Sequence, residues 1–225
     1  MKAFKIVLRI VAATIGFIGL YLIFGIVVDT HVFPLSKPDL TGYFQPGDKF
    51  VSRVEGFEQT VLGVNKGYLH TRLDARPYAA GPPEHFHENF TETFTVKSGT
   101  LSILLNGEKR TLKAGETLSV PPMTKHKPFN ETAETVIVES DDPRTLPVEF
   151  GFLLTQLYGF MDQFPNGPST PQMLMQLSVY GEDADSYIAE GPSLQTQKVM
   201  RVLMSPTARL LGYKYHYPEF KPKRN

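Results

Sequence analysis

The hydrophobic pattern divides the chain into three stretches of different period. From Ile10 to Val28 there is no charged residue, and only Thr14, Tyr21 and three glycines interrupt the aliphatic and aromatic side chains. About 20 such residues in a helix cross the hydrocarbon core of a bilayer, so this run predicts a transmembrane helix. Lys2, Lys5 and Arg9 precede it, and Asp29 and His31 follow it. The positive-inside rule then expects a single-pass protein with a cytoplasmic N-terminus and everything after Asp29 on the extracytoplasmic side. A cleaved signal peptide is the competing reading. The run is long for a signal, however, and Ile26-Val27-Val28-Asp29 lacks the small-residue cleavage pattern. The expectation is an uncleaved anchor over residues 1–29.

Residues 30–48, with Pro34, Pro38, Gly42, Pro46 and Gly47, predict an extended linker. Between residues 49 and 145 the pattern shortens to the alternation of strands. The expected strands are Lys49–Glu55, Thr60–Val64, Tyr68–Leu73, Glu92–Lys97, Thr100–Leu105, Arg110–Lys113, Thr117–Val120 and Thr135–Glu139. Asn106-Gly107 fits a two-residue hairpin, because both residue types tolerate positive φ. Many short strands at this spacing argue for an antiparallel sandwich or barrel, an all-β core. After Asp142-Pro143 the period becomes helical, giving a C-terminal helical extension over residues 146–225. Its expected helices are Phe152–Gln163, Pro171–Tyr180 and Leu194–Met204, followed by a short separate helix with Ser205 as N-cap, Pro206 at its first position and Gly212 at its end. The tail from Tyr213 mixes aromatic and basic residues, suited to packing on the barrel or to a membrane interface.

Composition narrows the chemistry. Lys and Arg number 23 and Asp and Glu 23, a balance that argues against a nucleic-acid partner. There is no cysteine, so any metal must be held by nitrogen and oxygen. His85 and His87 are two apart, and in a strand they present imidazoles on one face. Glu92 joins them only if a bend intervenes, for which Glu88-Asn89 supply polar turn residues. A third imidazole is available at His126, after the turn-like Pro121-Pro122-Met123-Thr124. Three imidazoles and a carboxylate suit one divalent Fe, Mn, Ni, Cu or Zn ion and leave positions open for water, dioxygen or a chelating substrate. His31, His70 and His216 read as ordinary surface or core histidines.

Gly81, His85-Phe86-His87, Glu92 and Gly99 resemble the first cupin motif, and Gly115, Pro121, His126 and Asn130 resemble the second. Two departures stand out. Gly81 is closer to His85 than the family pattern has it, and Met123 stands where a glycine is usual. The stretch after the barrel, from Met204 through Tyr217-Pro218, is similar to the tail of a bacterial cupin subgroup that carries helices there. The resemblance implies a single cupin-type antiparallel β-barrel, a double-stranded β-helix or jelly roll, with His85, His87, Glu92 and His126 as metal ligands. Asn130 then supports its strand by hydrogen bonding.

With Glu92 facing inward, Phe94 and Val96 should as well, and with His126 so should Pro128 and Asn130. The hairpin contributes Leu101, Ile103 and Leu105 or the opposite register. The expected pocket is largely apolar and free of Lys or Arg, suited to a small organic ligand and poorly suited to a phosphate. Three functions follow from this site. They are a metal-dependent enzyme of dioxygenase type, a non-catalytic ligand-binding or sensory module displayed on the membrane, and a barrel whose metal is purely structural. The resemblance also implies pairing through barrel edges, so a homodimer is an expectation.

Overall fold

The computed structural model describes residues 2–34, 36–140, 142 and 144–224. Leu35 of the expected linker and Pro143 at the change of period lie outside them, as do the side chains of the flanking charges Lys2 and Asp29. The apolar N-terminal run forms helix α1 (Lys2–Val27), continued by a π-helical turn over Val28–Val32. It is long and apolar enough to cross a membrane, and only 6% of its most apolar stretch is buried. A core helix would show the reverse.

The alternating region forms strands β1 (Lys49–Ser52), β2 (Phe57–Asn65), β3 (Tyr68–Ala75), β4 (His85–Phe86), β5 (Glu92–Ser98), β6 (Thr100–Leu105), β7 (Glu108–Lys113), β8 (Thr117–Val120), β9 (His126–Phe129) and β10 (Val136–Glu139). Two short strands follow, β11 (Leu146–Pro147) and β12 (Tyr187–Ile188). They build two antiparallel sheets. One has the order β1-β2-β3-β10-β5-β8, with β11 also on β3, and the other has the order β12-β4-β9-β6-β7. Phe94 and Val96 from the first sheet meet Leu101 and Ile103 from the second in one buried cluster. That settles the register left open for the hairpin: Leu101 and Ile103 point inward. Asn106 and Gly107 both take positive φ, at 50° and 82°, and join Leu105 to Glu108 in a tight turn.

Helices α2 (Val148–Met161), α3 (Thr170–Tyr180) and α4 (Leu194–Leu210) follow the barrel. The separate helix expected at Ser205–Gly212 is not there; α4 runs continuously through Pro206. The proline ring faces α1, where a Cβ on Gly25 would come within 3.0 Å of its Cγ, so packing of the two helices offsets the lost backbone bond. The expected linker also differs. Phe44 is buried in a cluster with Phe50, Leu69 and Phe152, and Leu40 and Tyr43 pack against it, so its second half lies on the core. Phe44 and Tyr43 bury too much apolar surface to stand in water. The tail packs as well. Tyr215 and Tyr217 are buried, and the Tyr217 hydroxyl donates to Gln176 Oε1 at 2.8 Å.

Candidate metal centre

His85 and His126 face each other as cross-strand partners between β4 and β9, with ring centroids 4.4 Å apart. His87 follows β4 directly, and Glu92 opens β5 on the other sheet. The barrel therefore brings all four residues together, and one donor atom from each lies within 4.8 Å of the others. His31, His70 and His216 stay out of this group. Two glycine-type turns hold the frame. Gly81 sits at φ +64°, and a Cβ there would come 1.9 Å from the Pro128 carbonyl oxygen, so only glycine fits beside β9. Met123 takes φ +62° where glycine would be free of strain, and its N–H donates to the His87 carbonyl at 2.7 Å.

The imidazoles are oriented alike. Nδ1 of His85 lies 2.9 Å from the Pro83 carbonyl, Nδ1 of His87 lies 2.6 Å from that of Asp185, and Nδ1 of His126 lies 2.9 Å from that of Thr124. A carbonyl oxygen only accepts, so each Nδ1 carries the proton and each Nε2 is the atom left to face the centre. His87 Nε2 is buried without a hydrogen-bond partner. This is the arrangement a metal requires of histidine, and it fits a bound divalent ion.

Glu92 Oε2 accepts from His126 Nε2 at 2.8 Å and lies 3.4 Å from His87 Nε2. Burial works against ionising Glu92, but the hydrogen bond from His126 and the nearby His87 imidazole outweigh it and hold the carboxyl well below its usual range. Burial likewise opposes protonation of His126, and the bond to Glu92 outweighs it, so its pKa is raised. In His85, burial and the neighbouring His87 and His126 push the pKa down to about 3. The pair is thus a carboxylate and an imidazolium, and a cation held by these four residues would require His126 to give up its Nε2 proton.

Asn130 holds the strand ends, as its resemblance implied. Its amide donates to the carbonyls of Ala75, Arg76 and Glu134, and its oxygen accepts from Thr132. The site opens on a cavity of about 100 Å³. The barrel supplies Phe57, Leu73, Phe94 and Pro128, and the far wall comes from the C-terminal helices, with Phe150, Leu153, Leu154 and Leu157 of α2 and Leu177 of α3. Among the described residues, no Lys or Arg lines it.

Two residues of this site carried no signal in the sequence. Glu55, between β1 and β2, is buried in the cavity wall and accepts a hydrogen bond from the Tyr158 hydroxyl. Burial pushes its carboxyl up to about 8; the charges of Asp162 and Glu92 add to this and the Tyr158 bond opposes it. Asp185 holds His87 through its carbonyl, and its carboxylate accepts from the N–H groups of Glu88 and Asn89 at 2.7 and 3.0 Å. β12, directly after it, pairs with β4. The cluster Gly181-Glu182-Asp183-Ala184-Asp185 is turn-like in sequence, but nothing local ties it to a histidine almost 100 residues away.

Residues 72–139 match the family described as the cupin domain. No curated protein sequence matches the chain. Among solved structures the chain is similar to KdgF from Halomonas sp., at 21% identity over 39% of this chain and 82% of that one, with a TM-score of 0.33. It is also similar to a sugar phosphate isomerase of the cupin superfamily from Silicibacter pomeroyi, at 21% identity over 46% and 73%, TM-score 0.34. A third is Pac13, a nucleoside dehydratase, at 22% identity over 47% and 82%, TM-score 0.34. The chain carries a cupin domain at residues 72–139, and all four residues of the site lie within it.

Proposed function

We propose that this chain is a membrane-anchored, metal-dependent enzyme of dioxygenase type acting on a small, uncharged organic substrate, with His85, His87, Glu92 and His126 as the metal ligands. The observation that carries the reading is the common orientation of the three imidazoles, each fixed by an Nδ1–H bond to a carbonyl, which leaves Nε2 for a centre where one donor atom from each of the three and from Glu92 lies within 4.8 Å of the others. A divalent ion on this donor set supplies a Lewis acid with open positions and, where the metal is redox-active, dioxygen chemistry. The protein's own groups do the rest. The apolar walls from α2 and α3 exclude water and select an uncharged ligand. Glu55, protonated near neutral pH and bonded to Tyr158, stores a proton inside that cavity.

In this reading residues 1–29 are the anchor and 30–48 lead onto the core. Residues 49–145 form the barrel, and the extension 146–225 roofs its mouth. In this reading the basic Lys2, Lys5 and Arg9 before the apolar run favour a cytoplasmic N-terminus, with the barrel outside. A ligand-capture module is the second reading, favoured by the small size of the cavity. Oxygen uptake by the metal-loaded full chain against catechols, flavonols and diketones separates the two. The enzyme reading expects uptake with at least one class, abolished in His126→Ala. Binding without uptake or turnover, at a metal-loaded site, would transfer the protein to the capture reading.

A further inference from the structure

Helix α4 places a row of apolar side chains in the open. Val199, Val202, Leu203 and Leu210 recur at helical spacing on one face, Leu211 follows them, and their exposures run from 37% to 66%. Its other side is committed to the protein, with Arg201, Ser205 and Ala208 buried. α1 crosses α4 on the apolar stripe itself. The Tyr21 hydroxyl donates to the Leu203 carbonyl and lies 3.0 Å from Thr207 Oγ1, and Gly25 abuts Pro206. These contacts come from the C-terminal end of α1, where the apolar run finishes. Just beyond, the Arg209 guanidinium donates to the Phe33 carbonyl at 2.7 Å, tying the exit of α1 to the end of α4.

We infer that α4 lies on the bilayer surface as an interfacial helix, with Val199, Val202, Leu203, Leu210 and Leu211 in the acyl boundary and lipid headgroups around them. The surface is continuous with the exposed flank of α1, where Phe17, Leu20 and Phe24 face outward, so whatever surrounds that flank also reaches α4. Composition is compatible with lipid as the occupant: residues 194–217 contain no Asp or Glu to repel headgroups, while Arg201 is buried on the protein side, Lys198 pairs with Glu88 and Glu182, and Arg209 is held by the Phe33 carbonyl. The inference rests on reading α1 as a membrane span. It fixes the barrel against the membrane, with α4, which α3 packs upon, as the base of the cavity's roof.

The chain has no cysteine, so single cysteines report cleanly. The full chain is reconstituted in vesicles of phosphatidylcholine and phosphatidylglycerol and carries an environment-sensitive fluorophore after Val202→Cys, Leu211→Cys, Ile18→Cys or Val64→Cys. Lipids with a nitroxide near the headgroup end of the acyl chain serve as quenchers. The probes at 202 and 211 should lose most of their emission and shift to the blue, while the probe at 64, an exposed position on β2, keeps both. If 202 and 211 behave like 64 while 18 is quenched, the interfacial helix is refuted and the anchor stands. If 18 also escapes quenching, anchor and interfacial helix fall together. Probes at 202 that are shielded from lipid and instead quench one another between copies would replace the membrane with a second chain as occupant.

Discussion

At the scale of single residues, Glu55 and Asp185 reach the candidate site from outside its ligand-type side chains, one in the cavity wall and one behind His87. The spacing of His85 and His87 offered two imidazoles on one face, and the resemblance to the two cupin motifs joined Glu92 and His126 to them. Glu55 and Asp185 reach the site through tertiary packing, which no local spacing encodes. Glu55 gives a signed pH dependence. Its folded pKa, raised to about 8, lies above that of the unfolded chain, so its stabilising contribution is complete below about pH 4.5 and is lost as pH rises through 8. In chelator, the full chain should lose about 3 kcal/mol more stability between pH 5 and pH 8 than Glu55→Gln does, read from paired denaturation curves. Equal pH slopes would contradict the buried carboxyl. Asp185→Ala strips two backbone N–H groups beside His87 of their acceptor. Metal affinity, measured by competition with a chromophoric chelator, should fall roughly 10- to 100-fold, as for other outer-shell supports. At Met123 the departure from the motif marks real strain. Met123→Gly removes a positive-φ side chain that is half exposed, and should stabilise the protein by about 1 kcal/mol in the same melts.

At the scale of elements, alternation and turn chemistry read well where one face of a strand is buried. β6 matched its expected bounds because its apolar run lies between two turns, Ser98-Gly99 before it and Asn106-Gly107 after it. β4, β11 and β12 were illegible because they are two residues long, and so short a run has no periodicity to read. Ser205-Pro206 misled for a different reason: capping preferences are local, and the contact of Pro206 with Gly25 overrode them. Glycines separate the roles of turns in the same way. Gly81→Ala drives a Cβ into the Pro128 carbonyl and should displace β9 with His126, costing on the order of 3–5 kcal/mol and lowering metal content. Gly107→Ala, at a similar φ but with open space around it, should cost only about 1 kcal/mol and leave the metal untouched. Thermal melts with elemental analysis of both variants test the contrast.

At the scale of the whole molecule, the three-part division of the chain was visible, but not the way its parts meet. Helical period identified α2 and α3 without saying that Phe150, Leu153, Leu157 and Leu177 would form the far wall of the barrel's cavity. That contact depends on Asp185 and β12 stitching the extension to β4, a pairing across about 100 residues. The consequence is functional: the candidate metal centre faces a largely apolar space walled by α2 and α3 rather than an open barrel mouth. The most direct test of this account is the metal content of the full chain purified from metal-replete cells, measured beside His126→Ala. One divalent ion per chain in the wild type, lost in the variant, is the expected result. A wild type without metal, or a variant that retains it, would contradict the assignment of the site.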